Sequence, residues 1–418
     1  MNSLDQDRAA VPTSETRDGG ASQDGERPAR FLLDGEARRW SRLIDQAESY
    51  EVLQRTLEAK SGPHTVIEGR EFVVISAYDY LGLIGHPLID AAAARAIEEF
   101  GTGTGGVRLL TGTNSLHTEL ERDLAAFKGT EAAMTFSSGF LANIAVITTL
   151  MGPRDRVILD ECCHRSIRDA CRMADASVVR FLHNDVADLE KKLRQPARGR
   201  TLIVIEGIYS MDGDICPLPE IVEMKERFGA FLMVDEAHAI GVLGPTGRGT
   251  QDHFGMPSVG VDIWMGSLSK AIPASGGFLA GDAALIRFLR YVASPYVFSA
   301  ALTPASTAAA RAALEVMLNE HDRHRRLADN AEFLRGSLNR MGFDTGTSTT
   351  PVIPVLLRNE EHTLRAARTL FEAGILATPV CFPAVPRGAA RLRLCASAGH
   401  DRDTLDVVLR AFAALTPA

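Results

Sequence analysis

A lysine stands in MGSLSKAIPASGG, residues 265–277, directly after the apolar run VDIWM and among Ser267, Ser269 and Ser275. A solvated surface amine needs no such setting. An amine that condenses with a carbonyl does, provided the rest of the chain supplies a partner for it. Other chemistry-bearing side chains also follow apolar runs: His164 after DRVILDECC, Ser210 after TLIVIEGIY, and Asp235 with His238 in VDEAHAIGV. An acid, two imidazoles, a hydroxyl and the amine of Lys270 thus recur at one kind of place.

The elements between them explain that place. From about residue 131, AAMTFSS, DRVILD, SVVRFL, TLIVIEG, FLMVDEA and VDIWMGS read as strands, separated by helical patterns such as GFLANIAVITTLM, which Gly139 opens. Continuous apolar strands alternating with helices predict a parallel sheet covered on both faces. Ligands of such sheets bind beyond the carboxyl ends of the strands, where these five residues fall. Residues 1–33 read as a disordered tail, 34–85 as an N-terminal arm with a helix ending near Gly62, and 86–310 as the large domain. From 311 a single long charged helix (ARAALEVMLNEHDRHRRLADNAEFLRGSL), the strand PVIPVLL, a helix around 362–373 and the strand ARLRLCAS predict a smaller α+β domain, 311–418. PLIDAAAARAIEEF reads as a helix stopped by Gly101, and HTELERDLAAFKG as an amphipathic helix by its apolar spacing.

Composition narrows the chemistry. The 418 residues carry a formal charge of −8, which disfavours nucleic acid as the main partner. No apolar run reaches the ~18 residues a membrane span needs, and the N-terminus lacks the pattern of a secretory signal. Six cysteines without a CxxC pair suggest reduced thiols in a cytoplasmic protein, with no metal site. HDRH, 321–324, reads as a solvated helix face, and SMDGD, 210–214, as a turn. DEAH also occurs in helicase-type NTPases, but these require a GxxxxGK[ST] phosphate loop. GTGTGG, 101–106, continues instead into Val107-Arg108, and it follows a helix, where a Rossmann fingerprint follows a strand.

Pyridoxal 5′-phosphate (PLP) uses all the parts present. A lysine carries its aldehyde, a carboxylate keeps its ring nitrogen protonated, imidazoles contact the ring, and a helix N-terminus with hydroxyls takes the phosphate. The ordered motifs DYLGL, GTGTGGVRLLTGTNSLHTELE, FSSGFLAN, DECCHRSI, HND, EGIYSMDGDICPL, VDEAHAIGVLGPTGRG, GSLSKA, FSAALTP and FPAVPRGAARLRLCASAGH resemble those of the α-oxoamine synthase family of fold-type I PLP enzymes. The resemblance runs from about Asp79 to His400 and implies a three-layer α/β/α fold of the aspartate aminotransferase type.

It also implies roles. Lys270 is expected to carry the cofactor as a Schiff base, Asp235 to face the pyridine nitrogen, His238 to lie near the phenolic oxygen and His164 to stack on the ring. Ser138, Gly139, Phe140, Ser267 and Ser269 are expected about the phosphate, Ser299 to reach it from a second subunit, and Ser210 to line the pocket. Arg393 is expected to hold the substrate carboxylate, with Arg391 a surface charge on the same strand face. Asn114 is expected near the substrate, where it and the valine of GGVR depart from several family members; His117 fits helix capping or catalysis. The implied activity is an acyltransferase reaction. A small amino acid (glycine, alanine or serine) and an acyl thioester, on CoA or a carrier protein, condense with decarboxylation in a homodimer with shared sites. The alternatives are a PLP-dependent aminotransferase and a non-catalytic subunit of a synthase heterodimer.

Overall fold

In the computed structural model, which describes Trp40 and residues 44–417, the apolar runs become the central sheet. Its strands are β3 (Ala132–Phe136), β4 (Arg156–Asp160), β5 (Ser177–Phe181), β6 (Thr201–Glu206), β7 (Phe231–Asp235), β8 (Ile263–Ser269) and β9 (Pro273–Gly281). They are ordered β3-β9-β8-β7-β6-β4-β5. Period-two alternation divides the side chains between two cores. Val157, Leu159, Leu202, Val204 and Met233 pack under the helices Gly139–Leu150 and Arg165–Met173. Ile158, Ile203, Ile205, Leu232 and Val234 pack on the other side, under Ser115–Lys128, Leu218–Phe228 and Pro304–Asn319. Because both faces are covered, the strands are apolar throughout, and the three-layer α/β/α fold follows.

The sheet is not wholly parallel. β9 runs antiparallel to both β8 and β3, so the expectation of a parallel sheet is corrected. The strand PASGGFLAG carries little apolar signal because its glycines are required by neighbours. A Cβ on Gly277 would sit 2.5 Å from the Gly139 backbone, where the helix Gly139–Leu150 begins. β8 turns back into β9 within three residues, and Lys270 sits on that turn.

Two further sheets lie outside this one. β10 (Val352–Arg358), β13 (Ala390–Cys395) and β12 (Thr378–Val380) form one; β1 (His64–Ile67), β2 (Arg70–Val74) and β11 (Ile375–Leu376) form the other. Tyr50–Ala418 is one compact unit, in which β2 of the arm pairs with β11 more than 300 residues later. The arm differs from its expected helix: residues 44–48 are helical, but 49–62 are turns and bends, with Glu51 and Gln54 at φ 52° and 53°. The long charged helix also breaks, into Pro304–Asn319 and Asp322–Arg340. Within HDRH, His321 is exposed at that break, whereas His324 is partly buried against Gly247, so the solvated-face reading fails for His324. The expected tail lies outside the described residues. No described helix is long and apolar enough to cross a membrane.

The segment 395–400 zips the C-terminal sheet to residues 74–80, ahead of the helix Pro87–Phe100. Cys395 N–H donates to Ile75 O (2.7 Å), Ala398 N–H to Tyr80 O (2.7 Å) and Ser397 Oγ to Asp79 O (2.6 Å). His400 closes it: Nε2 donates to Val74 O at 3.0 Å, and Nδ1 accepts from Ser397 N–H at 3.2 Å. Burial holds this imidazole neutral, with its pKa lowered to about 4. A depressed folded pKa means stability that is complete above pH 6.5 and is lost as pH falls towards 4. Urea unfolding from pH 7 to 4 should therefore show the wild type losing up to about 3 kcal/mol more than His400→Gln, which does not titrate.

Candidate active site

Strand ends deliver the functional groups. β6 and β7 pair in parallel with Glu206 opposite Asp235, so two buried carboxyls end side by side. Asp235 is held in place: its Oδ2 accepts from Asn143 Nδ2 (2.8 Å) and its Oδ1 from Ala237 N–H (2.9 Å). Asn143 projects from the helix Gly139–Leu150 and also donates to Ser166 Oγ (2.9 Å). Its own Oδ1 is buried without a partner.

Lys270 is partly buried, with Nζ 5.6 Å from the centre of the Tyr78 ring. Desolvation holds its pKa below that of an ordinary lysine, opposed by Asp235 and Glu206. Glu206 moves the other way: burial and then the Asp235 charge push its carboxyl well above the usual range. An acid pushed up, a neighbouring acid held by donors and an amine pushed down mark a site built for proton transfer.

The imidazoles are oriented by hydroxyls. His238 is buried, with Nδ1 2.7 Å from Tyr80 Oη and Tyr78 packed edge-on at 5.5 Å. Burial, together with Lys270 and Arg393, holds it neutral far below its ordinary pKa. His164 caps the helix Arg165–Met173 and is exposed. Its Nδ1 meets Ser166 Oγ at 2.7 Å, and its backbone N–H donates to Glu206.

Beneath these groups lies a cradle. Ser138 caps the helix Gly139–Leu150 by accepting Leu141 N–H (3.2 Å). A Cβ on Gly139 would lie 2.8 Å from Met265 Cε, and Ser267 and Ser269 join their hydroxyls at 2.9 Å close by. Phe140 is exposed beside it. A helix N-terminus ringed with hydroxyls is an anion site. Together with the carboxyl of Asp235, the amine of Lys270 and the unpartnered Asn143 Oδ1, it fits a phosphorylated cationic heterocycle.

The two arginines of β13 have separate fates. Arg391 is buried and tied to Asp212 Oδ1 (2.6 Å) and Met211 O (2.9 Å), which corrects the surface-charge expectation. Arg393 contacts Tyr78 Oη and, at 3.5 Å, the carbonyl of buried Ser210; its Nε is buried without a partner. Asn114 caps the helix Ser115–Lys128, accepting His117 N–H at 3.3 Å, while His117 Nδ1 accepts Asn114 N–H at 3.2 Å. His117 Nε2 donates to Leu302 O (2.7 Å), which makes it a structural cap. Ser299 is half-buried, on a segment whose Phe298 is 80% exposed.

Tyr78, Tyr80, Asn143 and Glu206 were missed by sequence reading. Glu206 had a signal, since it closes TLIVIE as Asp235 closes FLMVD. Tyr80 lies within the motif DYLGL and Asn143 within FSSGFLAN, whereas Tyr78 had no signal, for it arrives from the segment ahead of the sheet.

Known proteins share this fold. The family model for aminotransferase class I and II matches residues 70–412. The 8-amino-7-oxononanoate synthase of Thermoanaerobacter pseudethanolicus is 44% identical over 358 residues, 85% of this chain and 90% of the relative. The 8-amino-7-oxononanoate synthase 1 of Bacillus subtilis is 42% identical over 356 residues, 85% and 91%. A solved serine palmitoyltransferase variant from S. paucimobilis with a bound PLP–myriocin aldimine superposes with a TM-score of 0.88 at 36% identity, covering 93% of this chain and 98% of that one. The chain belongs to the aminotransferase class I and II family, in its α-oxoamine synthase branch.

Proposed function

We propose that the protein condenses a small α-amino acid (glycine, alanine or serine) with an acyl thioester on CoA or a carrier protein. With one proton taken up, it releases an α-aminoketone, carbon dioxide and the free thiol. The observation that carries this reading is the desolvated amine of Lys270 beside the anchored carboxylate of Asp235, at the carboxyl edge of the sheet.

PLP, when bound, supplies an aldehyde for the substrate amine and a cationic ring that accepts electrons from Cα. Lys270 holds the cofactor, and Asp235 keeps its ring protonated. The helix N-terminus at Ser138 and Gly139, with Ser267 and Ser269, takes the phosphate. His164 would contact the bound heterocycle, and His238, neutral and fixed by Tyr80, would exchange a hydrogen bond with its phenolic oxygen. Ser210 lines the pocket beside Arg393.

Arg393 holds the substrate carboxylate. Its planar guanidinium presents two parallel donors, and its Nε awaits an acceptor, whereas Arg391 is already paired. By fixing the carboxylate, Arg393 decides which Cα bond is presented for cleavage. The amine of Lys270 would serve as the base for the Cα proton, a role that requires it to be unprotonated. Burial lowers its pKa before any cofactor is bound.

Val107 bridges to Ala300, bringing the glycine-rich loop beside the segment that carries Ser299. Phe298 and Leu110, 80% and 77% exposed, are covered by a second copy in this reading, and Ser299 reaches the partner's phosphate site. Six free cysteines suit a reducing cytoplasm.

Purified enzyme with PLP should release free thiol from an acyl-CoA or acyl-carrier protein only when an amino acid is present. Conversion of the cofactor to its pyridoxamine form by an amino acid alone would instead support an aminotransferase. Arg393→Lys should raise KM for the amino acid roughly tenfold to hundredfold, as loss of a bidentate charged contact implies. KM for the thioester should change far less; equal changes in both would contradict the role of Arg393. Asn143→Ala, which strips a donor from Asp235, should weaken PLP binding by roughly tenfold or more in a fluorescence titration of apoenzyme.

A further inference from the structure

The loops that follow β4 and β6 meet at an imidazole outside the pocket. His183 Nδ1 lies 2.9 Å from Asp160 Oδ1, and Nε2 lies 2.7 Å from Asp214 Oδ2. A neutral imidazole has only one N–H, so carboxylates on both nitrogens require the doubly protonated cation. Asp160 and Asp214 outweigh the burial that opposes charge, and the ring's pKa is pushed up to about 12. Tyr209 packs edge-on against it at 4.4 Å.

Each carboxylate is anchored to a loop that ends in the site. Asp160, fully buried, also accepts Cys162 N–H (2.8 Å) and Asn184 N–H (2.8 Å), two residues before His164 on one side and beside His183 on the other. Asp214 closes the turn at Gly213, φ 72°, where its carbonyl accepts Tyr209 N–H (3.1 Å) one residue before Ser210. The same turn is gripped from behind by Arg391 through Asp212.

We infer that His183 is a positioning residue: a fixed cation that staples the His164 loop to the Ser210 loop and so sets the spacing of two walls of the pocket. This rests on the reaction proposed above. Asp160, Cys162 and His183 also place their donor atoms within 4.8 Å of one another, as a metal site would. Both ring nitrogens already carry protons to carboxylates, so His183 has no lone pair to offer a metal.

The test uses the full-length holoenzyme. In ¹⁵N-histidine spectra, the ring that disappears in His183→Gln should bear two protons through pH 9. His183→Gln should lower kcat about 10- to 100-fold, as a misplaced pocket wall does, with KM little changed. It should also alter the visible circular dichroism of bound PLP, because His164 shifts. Asp214→Asn, which keeps the ring but removes one anchor, should act in the same direction. A His183 ring with one proton at pH 8, or folded variants with unchanged kcat and unchanged cofactor dichroism, would overturn the inference. Spectra and dichroism need no substrate. A wild type that releases no thiol would therefore sink the synthase reading while these two measurements still judge His183.

Discussion

Everything in the site depends on taking an amine out of water beside a carboxylate that cannot move away. Desolvation drives Lys270 towards its neutral, reactive form, and Asp235 opposes it. The balance is useful only because Asp235 is committed elsewhere, through Asn143 and the amide of Ala237. A free aspartate would fold onto the ammonium and quench it. A carboxylate fixed by two donors remains available for a ring nitrogen, and the amine stays available for a carbonyl.

The fold enforces this separation. Asp235 ends β7, Glu206 ends β6, and Lys270 stands on the turn from β8 into β9, so three strands fix three groups at one edge. The antiparallel β9 lets the helix Gly139–Leu150 approach closely enough for its N-terminus to become the anion cradle. The C-terminal sheet adds the arginines through β13, and the zipper at 395–400 locks Tyr78 and Tyr80 against His238. The paired acids and Lys270 thus come from one sheet and the two arginines from another. The turn at Gly213 joins them through Arg391 on one side and His183 on the other.

Much of this was legible in the chain because buried strands must be apolar along their whole length. Runs such as VILD and LIVIE announce a strand, and the first polar residue after them marks the edge where ligands bind. β9 was hidden because its glycines answer to close approach by a helix, which local pattern does not record. The break between Asn319 and Asp322 was hidden because both flanking segments keep helical composition. Arg391 read as a surface charge since its partner, Asp212, lies 179 residues away. His117 read as either a cap or a catalyst, and its spacing of three from Asn114 is that of a capping box, which the structure forms.

The central claim is that PLP is tethered to one particular amine. Borohydride reduction of the holoenzyme, followed by digestion and mass spectrometry, should find the phosphopyridoxyl mass on the peptide that contains Lys270, and no such adduct in Lys270→Ala. An adduct on a different lysine, or none at all in enzyme that retains bound PLP, would contradict the whole assignment of the site.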